Sequence, residues 1–268
     1  MYKLFLAETI HSFLFAIVNK PKKYHLIVTG SDTTEHIAAA LRNLGHTITT
    51  SGEPDKSVDG VIIGEQTNRS NPELLKAQQL GLKIYTGAEF IYEFAKDKQR
   101  LVVVGTSGRR EIASMIVHVL KALNREVDYV LSDEGANSIS LSDAPLIVLD
   151  GSASRASAVY HTPQFIHYKH HIGVMAEVEY DHQGGLSEND FIRQFDLFAD
   201  GTPKGGILIY WEQDKIASVI SNKERADVLY VQYKATAKDK LPVAAALEAL
   251  KKVGVTVDQF NKAIASYK

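Results

Sequence analysis

The sequence predicts an α/β chain built from two successive parallel-sheet units. Three observations carry that expectation. Short apolar runs alternate with amphipathic helical segments along the chain. The segments are punctuated by Gly, Pro or Asn at their ends. The pattern then restarts after a charged stretch, AKDKQR at 95–100, which reads as the linker. Strands separated by helices require crossover connections, and these produce a parallel sheet covered on both faces. With 268 residues the chain has room for one large or two ordinary domains, and the restart favours two, at 1–98 and 99–268.

Taken in order, Lys3–Leu6 reads as a strand running into a helix over about Ile10–Val18. HLIVTG (25–30) is an apolar strand ending in glycine. Ile37, Leu41 and Leu44 share one helical face, with Gly45 as the stop. GVIIG (60–64) is a buried strand. The next helix has Asn71 as cap, Pro72 at its first position and Gly81 past its end. KIYTG and AEFIYEFAK add a strand and a short helix. In the second unit LVVVG opens a strand. Ile112, Met115, Ile116, Val119, Leu120 and Leu123 then recur at helical spacing. Strands are expected at 127–131, 145–150, 164–169 and 172–178, and again in GGILIYW, KIASVIS and VLYVQY. SENDFIRQFDLF starts with Ser187 as cap and Asp190 in the place of the preferred Glu. Two helices, LPVAAALEALKKVG and TVDQFNKAIASYK, close the chain.

Composition narrows the function classes. Hydrophobic residues make up 45%, enough for a packed core. A net charge of −2 gives no basic bias, so nucleic acid is not an expected partner. There is no cysteine, which excludes disulfides and thiolate chemistry and suits a reducing cytoplasm. Glu8 and His11 interrupt the first apolar stretch, so no signal peptide is expected. No run reaches the roughly 18 apolar residues of a membrane span.

The stretch GTSGRRE (105–111) lies between a buried strand and a helix, the layout of a phosphate-binding loop. Such loops work because successive backbone N–H groups and a helix dipole converge on one anion. Gly105, Thr106, Ser107 and Gly108 keep that layout. A working nucleotide loop then needs Lys for the terminal phosphates and Ser or Thr for Mg²⁺. Here Arg109 and Arg110 stand in those positions. A planar guanidinium does not replace a compact ammonium, and it cannot ligate a metal. Two readings remain open for the pair: capture of an anion without metal, or ion pairing with Glu111 and Glu134.

GTSGRRE resembles the G-T-x-G-K-T-T loop of the Mur ligases, which attach amino acids or peptides to UDP-N-acetylmuramate. Other stretches fall in family order. VTGSD (28–32) resembles the end of the family's second strand. RSNPELLKAQQLGLKIYTGAEFIYEF (69–94) is similar to its N-P-E-L…A-E-x-L stretch. VEYDH (178–182) resembles its E-x-D-H element, and AALEALKKVGVTVDQFNKAIASYK its two closing helices. The resemblance is closest to the branches that join L-alanine or a murein tripeptide. It implies a Rossmann-like UDP-sugar domain, with Ser31 and Asp32 in the sugar-nucleotide region. A P-loop-type central domain for ATP and Mg²⁺ would come next, with Glu179, Asp181 and His182 as residual metal-site residues. It also implies a C-terminal amino-acid domain, expected to begin where this sequence stops. In the family, ATP phosphorylates the muramate acyl group and an amine displaces the phosphate.

The departures from that pattern are systematic. LFLAETIHS has no glycine where the family has a glycine-rich loop. The loop Lys and Thr are lost. Val148 falls at the family's acidic metal ligand, while Asp150 remains and Gly151 and Ala153 replace acidic residues. The Asn before E-x-D-H becomes Glu177, and the family's H-N pair is missing from AKDKL. The implied protein is a catalytically degenerate cytoplasmic relative that binds a UDP-N-acetylmuramate-type ligand, an anion or a partner protein. The alternative is an ATP-dependent ligase completed by a separate C-terminal domain. Outside the resemblance, HYKHH (167–171) with His161 suggests a metal site. Along a strand, though, His167 and His171 share a face with Lys169 between them, which also suits a solvated strand end. Ser107 and Ser152 lack a nucleophile elbow. Trp211 and the tyrosines at 210, 230 and 233 sit at strand spacing, as core or sheet surface.

Overall fold

The computed structural model describes residues 21–28, 33–132, 138–158, 162–182, 185–221, 223, 225–237 and 240–267. The strand and helix expected before Lys23 lie outside the described residues, as do Ser31, Asp32, Glu134 and His161.

Among the described residues the first sheet has four parallel strands. They are β1 (Lys23–Ile27), β2 (Thr47–Thr49), β3 (Gly60–Ile63) and β4 (Ile84–Thr86), in the order β2-β1-β3-β4. Helices α1 (Thr33–Asn43), α2 (Pro72–Gln79) and α3 (Gly87–Phe94) connect and cover them. The Asn71 cap read from sequence operates as expected, and a second cap that was not expected stands at Thr86. Asn71 accepts the Leu74 amide at 3.1 Å, and Pro72 opens α2. Thr86 and Glu89 form a reciprocal capping box at the start of α3. The three residues of β2, at an edge of this sheet, are too few to show a period and were not expected as a strand.

The second sheet has seven strands in the order β11-β10-β9-β5-β8-β6-β7. In chain order these are β5 (Gln99–Val104), β6 (Asp128–Val130), β7 (Ile139–Ser140), β8 (Leu146–Gly151), β9 (Ile172–Met175), β10 (Ile207–Trp211) and β11 (Leu229–Tyr233). All pair in parallel except β6 with the unexpected β7. The helices are α4 (Arg109–Ala122), α5 (Gln164–His167), α6 (Glu188–Asp200), α7 (Lys215–Ser221), α8 (Leu241–Lys252) and α9 (Val257–Ile264). β5 is central, and its alternation sorts the core. Leu101 and Val103 face α4, α8 and α9. Val102 and Val104 join a cluster that includes Tyr24, Ile37 and Ile91 of the first unit.

Three sequence expectations are corrected. KIASVIS is helix α7, not a strand. The Asp214 carboxylate accepts the Ile216 and Ala217 amides at 3.0 and 2.7 Å, and this cap nucleates a turn that a short apolar run leaves ambiguous. The expected strand at 164–169 is the short helix α5. Phe165 and the C-cap residue Tyr168, three residues apart, are both buried, and Phe165 stacks on Phe195 at 5.5 Å. The charged run 95–100 is only partly a connector, because Gln99 and Arg100 already belong to β5.

Arg100 ties the units together. It is buried, and its guanidinium donates to the carbonyls of Ala95, Lys96 and Lys98 at 2.8, 2.9 and 3.1 Å, and of Lys169 at 2.9 Å. A cation at the C-terminal end of α3 also suits the helix dipole. Among the described residues no helix is long and apolar enough to cross a membrane.

Candidate functional site at the strand-to-helix loop

The loop Gly105–Gly108 leaves the carboxyl end of β5. On one side of β5 lie β8 and β6, and on the other lies β9. Strand order therefore reverses there, which is where open α/β sheets form a ligand crevice. Gly105 has φ +147°, and a Cβ on it would meet the Ala176 Cβ at 2.8 Å, so only glycine fits. Gly108 has φ +74° and stands at the N-cap of α4 without a side-chain cap. The first-turn amides of α4 have no partner within the helix and are left for an anion. Thr106, Ser107, Arg110, Glu111, Ser114 and Tyr267 line an open cavity of about 500 Å³ in front of them.

The start of the loop is held from the segment that follows β9. The Glu177 carbonyl accepts the Thr106 amide at 2.8 Å and the Thr106 hydroxyl at 3.0 Å. The same hydroxyl accepts the Glu179 amide at 2.9 Å. Asp214 fixes the segment from the other side, accepting the Val178 amide at 2.7 Å. Burial pushes the Asp214 carboxyl above the usual range, against the pull of its three backbone donors, and Glu177 adds to the rise. Sequence reading missed Asp214. Its signal was an Asp directly before a run with helical possibilities.

Arg109 turns inward. Its Nε lies 2.9 Å from Asp150 Oδ1, a charge contact without the alignment of a hydrogen bond. The Asp150 side chain is 0% exposed and that of Arg109 21%. Asp150 Oδ2 accepts the Ser132 amide at 3.2 Å. The pairing comes from strand geometry. Val148 and Asp150 are two residues apart on β8, so they share the face covered by α4. Asp150 also stands beside Val103 of β5, one residue before the end of that strand. For Arg109 the observed partner is Asp150, where Glu111 or Glu134 was expected; Glu134 lies outside the described residues. Arg110 is exposed at the cavity mouth.

The remaining sequence candidates separate. Glu179, Asp181 and His182 come after β9, where the His182 ring packs edge-on against Tyr180 at 4.7 Å. Among the described residues no group of three or more His, Cys, Asp or Glu side chains is placed to hold a metal ion. In HYKHH, the His167 ring meets the Thr162 hydroxyl at 2.8 Å. His170 is buried against Thr202 at 2.8 Å, and His171 faces the Arg100 guanidinium at 3.3 Å. His167 and His171 do not share a strand face, because α5 ends at His167 and Lys169 takes φ +46°.

Comparison with known proteins agrees with the geometry. Over 247 residues the chain is 29% identical to UDP-N-acetylmuramate–L-alanine ligase of Caldicellulosiruptor saccharolyticus, covering 88% of this chain and 52% of that relative. It superposes on UDP-N-acetylmuramate:L-alanyl-gamma-D-glutamyl-meso-diaminopimelate ligase of Neisseria meningitides with TM-score 0.78 and 17% identity, covering 93% of this chain and 99% of the solved one. The chain is Mur ligase-like in sequence and in fold. The UDP-N-acetylmuramate-alanine ligase of Thermotoga maritima superposes on this Mur ligase-like chain with TM-score 0.64 and 16% identity, over 90% of this chain and 67% of that one. No family model matches the chain. It spans about half the length of the curated relatives it matches.

Two residues at this loop depart from what a bound Mg²⁺ needs. Arg110 offers no oxygen to a metal, and Asp150 is already neutralised by Arg109.

Proposed function

We propose that this Mur ligase-like chain serves peptidoglycan precursor metabolism as a binding protein rather than as an ATP-dependent ligase. The Arg109–Asp150 contact carries this reading. The resemblance assigns the loop cation to position 109 and leaves Asp150 as the acid remaining in the stretch near the family's metal ligand, and here the two satisfy each other. The ligand chemistry that suits the loop is an anion held by the first-turn amides of α4 and by Arg110 at the cavity mouth, with no metal required. The ligand we infer is a UDP-N-acetylmuramate-type molecule, a reading supported by the substrate in the relatives' names.

Calorimetric titration tests the proposal. At millimolar ATP the expected result is no Mg²⁺-dependent binding. Arg109→Lys combined with Arg110→Thr is expected to restore measurable metal-dependent affinity. Metal-dependent ATP binding by the unaltered chain would overturn the proposal. It would support the second reading, half of an active ligase completed by another chain. That reading is favoured by the ligase relatives and by a Thermotoga maritima MurF ligase, solved in complex with ADP, that superposes with TM-score 0.55.

A further inference from the structure

The two sheets begin along a shared seam, and a second cavity opens there. It holds about 530 Å³, within the range of small-molecule sites. Its lining marks the amino ends of the strands, opposite the glycine loop. Tyr24 lies at the start of β1, His46 precedes β2, Lys98 precedes β5 and Pro145 precedes β8. Every residue lining it is among the described residues, and both units contribute. The cavity thus lies apart from the carboxyl-end crevices where open α/β sheets take their ligands.

The wall from the second unit is fixed by Lys98. Its ammonium donates to the Ser142 and Ala144 carbonyls, both at 2.7 Å, and pairs with buried Asp128 at 2.9 Å. It also lies 5.1 Å from the centre of the Phe94 ring. Phe94, Phe90 and Leu41 form an apolar wall from the first unit. Tyr24 meets Phe90 edge to face at 5.1 Å and His46 at 5.9 Å. An aromatic ring entering the cavity extends this edge-to-face cluster.

Three hydrogen-bond donors at one end of the cavity are unused. Tyr24 is 8% exposed, and its hydroxyl has no hydrogen-bond partner among the described residues. The oxygen is not sealed in the interior either, so it opens on the cavity that Tyr24 lines. Burial, with Tyr85, Asp59 and Glu93 adding, pushes the phenol up to about 12, so it keeps its proton as a donor. His46 Nδ1 accepts the Lys22 amide at 3.1 Å. Burial and then Lys22 hold this ring below the ordinary histidine range, against Asp59. The ring is therefore neutral, and its one proton sits on Nε2. The Lys22 side chain forms no ion pair among the described residues. Lys96, by contrast, pairs with Glu93 at 3.0 Å, which leaves Asp97 and Asp143 exposed at the rim. A phenol, an imidazole N–H and an ammonium together suit a carboxylate, whereas the rim acids repel a multiply charged phosphate.

We propose that the seam cavity is a binding site for a small aromatic carboxylate. The ring lies against Phe90 and Phe94, and the carboxylate takes Tyr24 Oη, His46 Nε2 and Lys22 Nζ. A ligand so seated touches both units and resists their separation. The site is separate from the loop anion proposed above, and the two ideas fail separately.

Phenylacetate is the probe, followed by amide chemical shifts of the full chain. Shifts are expected at Tyr24, His46, Phe94 and Ala144, with a dissociation constant of about 1 mM for so small a molecule. Phenethylamine, with the same ring and the opposite charge, is expected to give none. Tyr24→Phe and Lys22→Gln are each expected to weaken phenylacetate about tenfold, the effect of one lost hydrogen bond to a charged group. Four results overturn the proposal. One is no shift at the cavity amides at about 10 mM phenylacetate, roughly tenfold above the expected constant. The others are shifts confined to residues 105–110, equal shifts with phenethylamine, and unchanged affinity in either variant. Lys22 is exposed, so Lys22→Gln keeps the test alive if Tyr24→Phe does not fold.

Discussion

Replacing Arg109 by Met probes the internal ion pair directly. Asp150 has a fully buried side chain and two contacts that the structure shows, Arg109 at 2.9 Å and the Ser132 amide at 3.2 Å. Removing the cation leaves a carboxylate in the interior with one long backbone donor. Breaking a buried pair from one side typically costs about 3–5 kcal/mol. Arg109 is 21% exposed, so water reaches the gap and the low end, about 3 kcal/mol, applies. With a urea m-value of about 2–3 kcal/mol/M, the midpoint falls by roughly 1–1.5 M. Asp150→Asn keeps an acceptor for Ser132 and leaves Arg109 able to turn toward water, so it costs about 1–2 kcal/mol. The double variant regains about 2 kcal/mol relative to the sum of the singles. Urea melts followed by far-ultraviolet circular dichroism and by the single tryptophan, Trp211, measure all three. A loss below about 0.5 kcal/mol for Arg109→Met, or strict additivity in the cycle, refutes the reasoning.

Three further outcomes are expected. Gly105→Ala brings a Cβ to 2.8 Å from the Ala176 Cβ at φ +147°, whereas Gly108→Ala meets nothing closer than Pro242 Cγ at 3.8 Å. Thermal melts should therefore show a loss of about 2–4 kcal/mol for the first and about 1 kcal/mol for the second. Asp214→Asn offers one acceptor oxygen to three backbone donors, and chemical denaturation should show a loss of about 1–3 kcal/mol. Burial, reinforced by the positive charges of His171 and Arg100, depresses His170 to about 3. The unfolded chain therefore takes up a proton near the ordinary value of about 6.5 while the folded one does not, and stability falls as pH drops through that window. Between about pH 8 and pH 5 the wild type should lose about 2 kcal/mol more than His170→Gln, and equal slopes in urea melts at the two pH values contradict the assignment.

Much of the fold was legible because its signals are local. Asn71 followed by Pro72, the helical recurrence from Ile112 to Leu120, and Ser187 at the head of α6 each work within a few residues. Short segments were misread where tertiary partners decide. KIASVIS is long enough for either element until Asp214 caps it, and β7 exists only because β6 pairs with it. The candidate site was half legible. The glycine turn and the helix after it are visible in GTSGRRE. The destination of Arg109 was not, because Asp150 reaches it only through the register of β8 on β5. The same holds for Gln164 and Glu65, which are far apart in sequence and meet only when the two units dock.

The substitutions in the loop are best understood as one linked change. A unit charge 4 Å from another interacts with about 4 kcal/mol at the effective dielectric of a partly exposed site. With the Arg109 guanidinium already 2.9 Å from Asp150, a divalent cation approaching that carboxylate meets a repulsion of this order for each of its charges unless Arg109 withdraws. Withdrawal is itself opposed by the desolvation of Arg109's partner, which stays buried wherever the guanidinium goes. On the reading proposed above, a seated Arg109 leaves an oxygen ligand at position 110 with no metal to hold, and an exposed Arg there costs nothing further. The same logic explains why Asp150 persists while Val148 stands where the resemblance expects an acid. One carboxylate balances one guanidinium, and a second would be a buried charge without a partner.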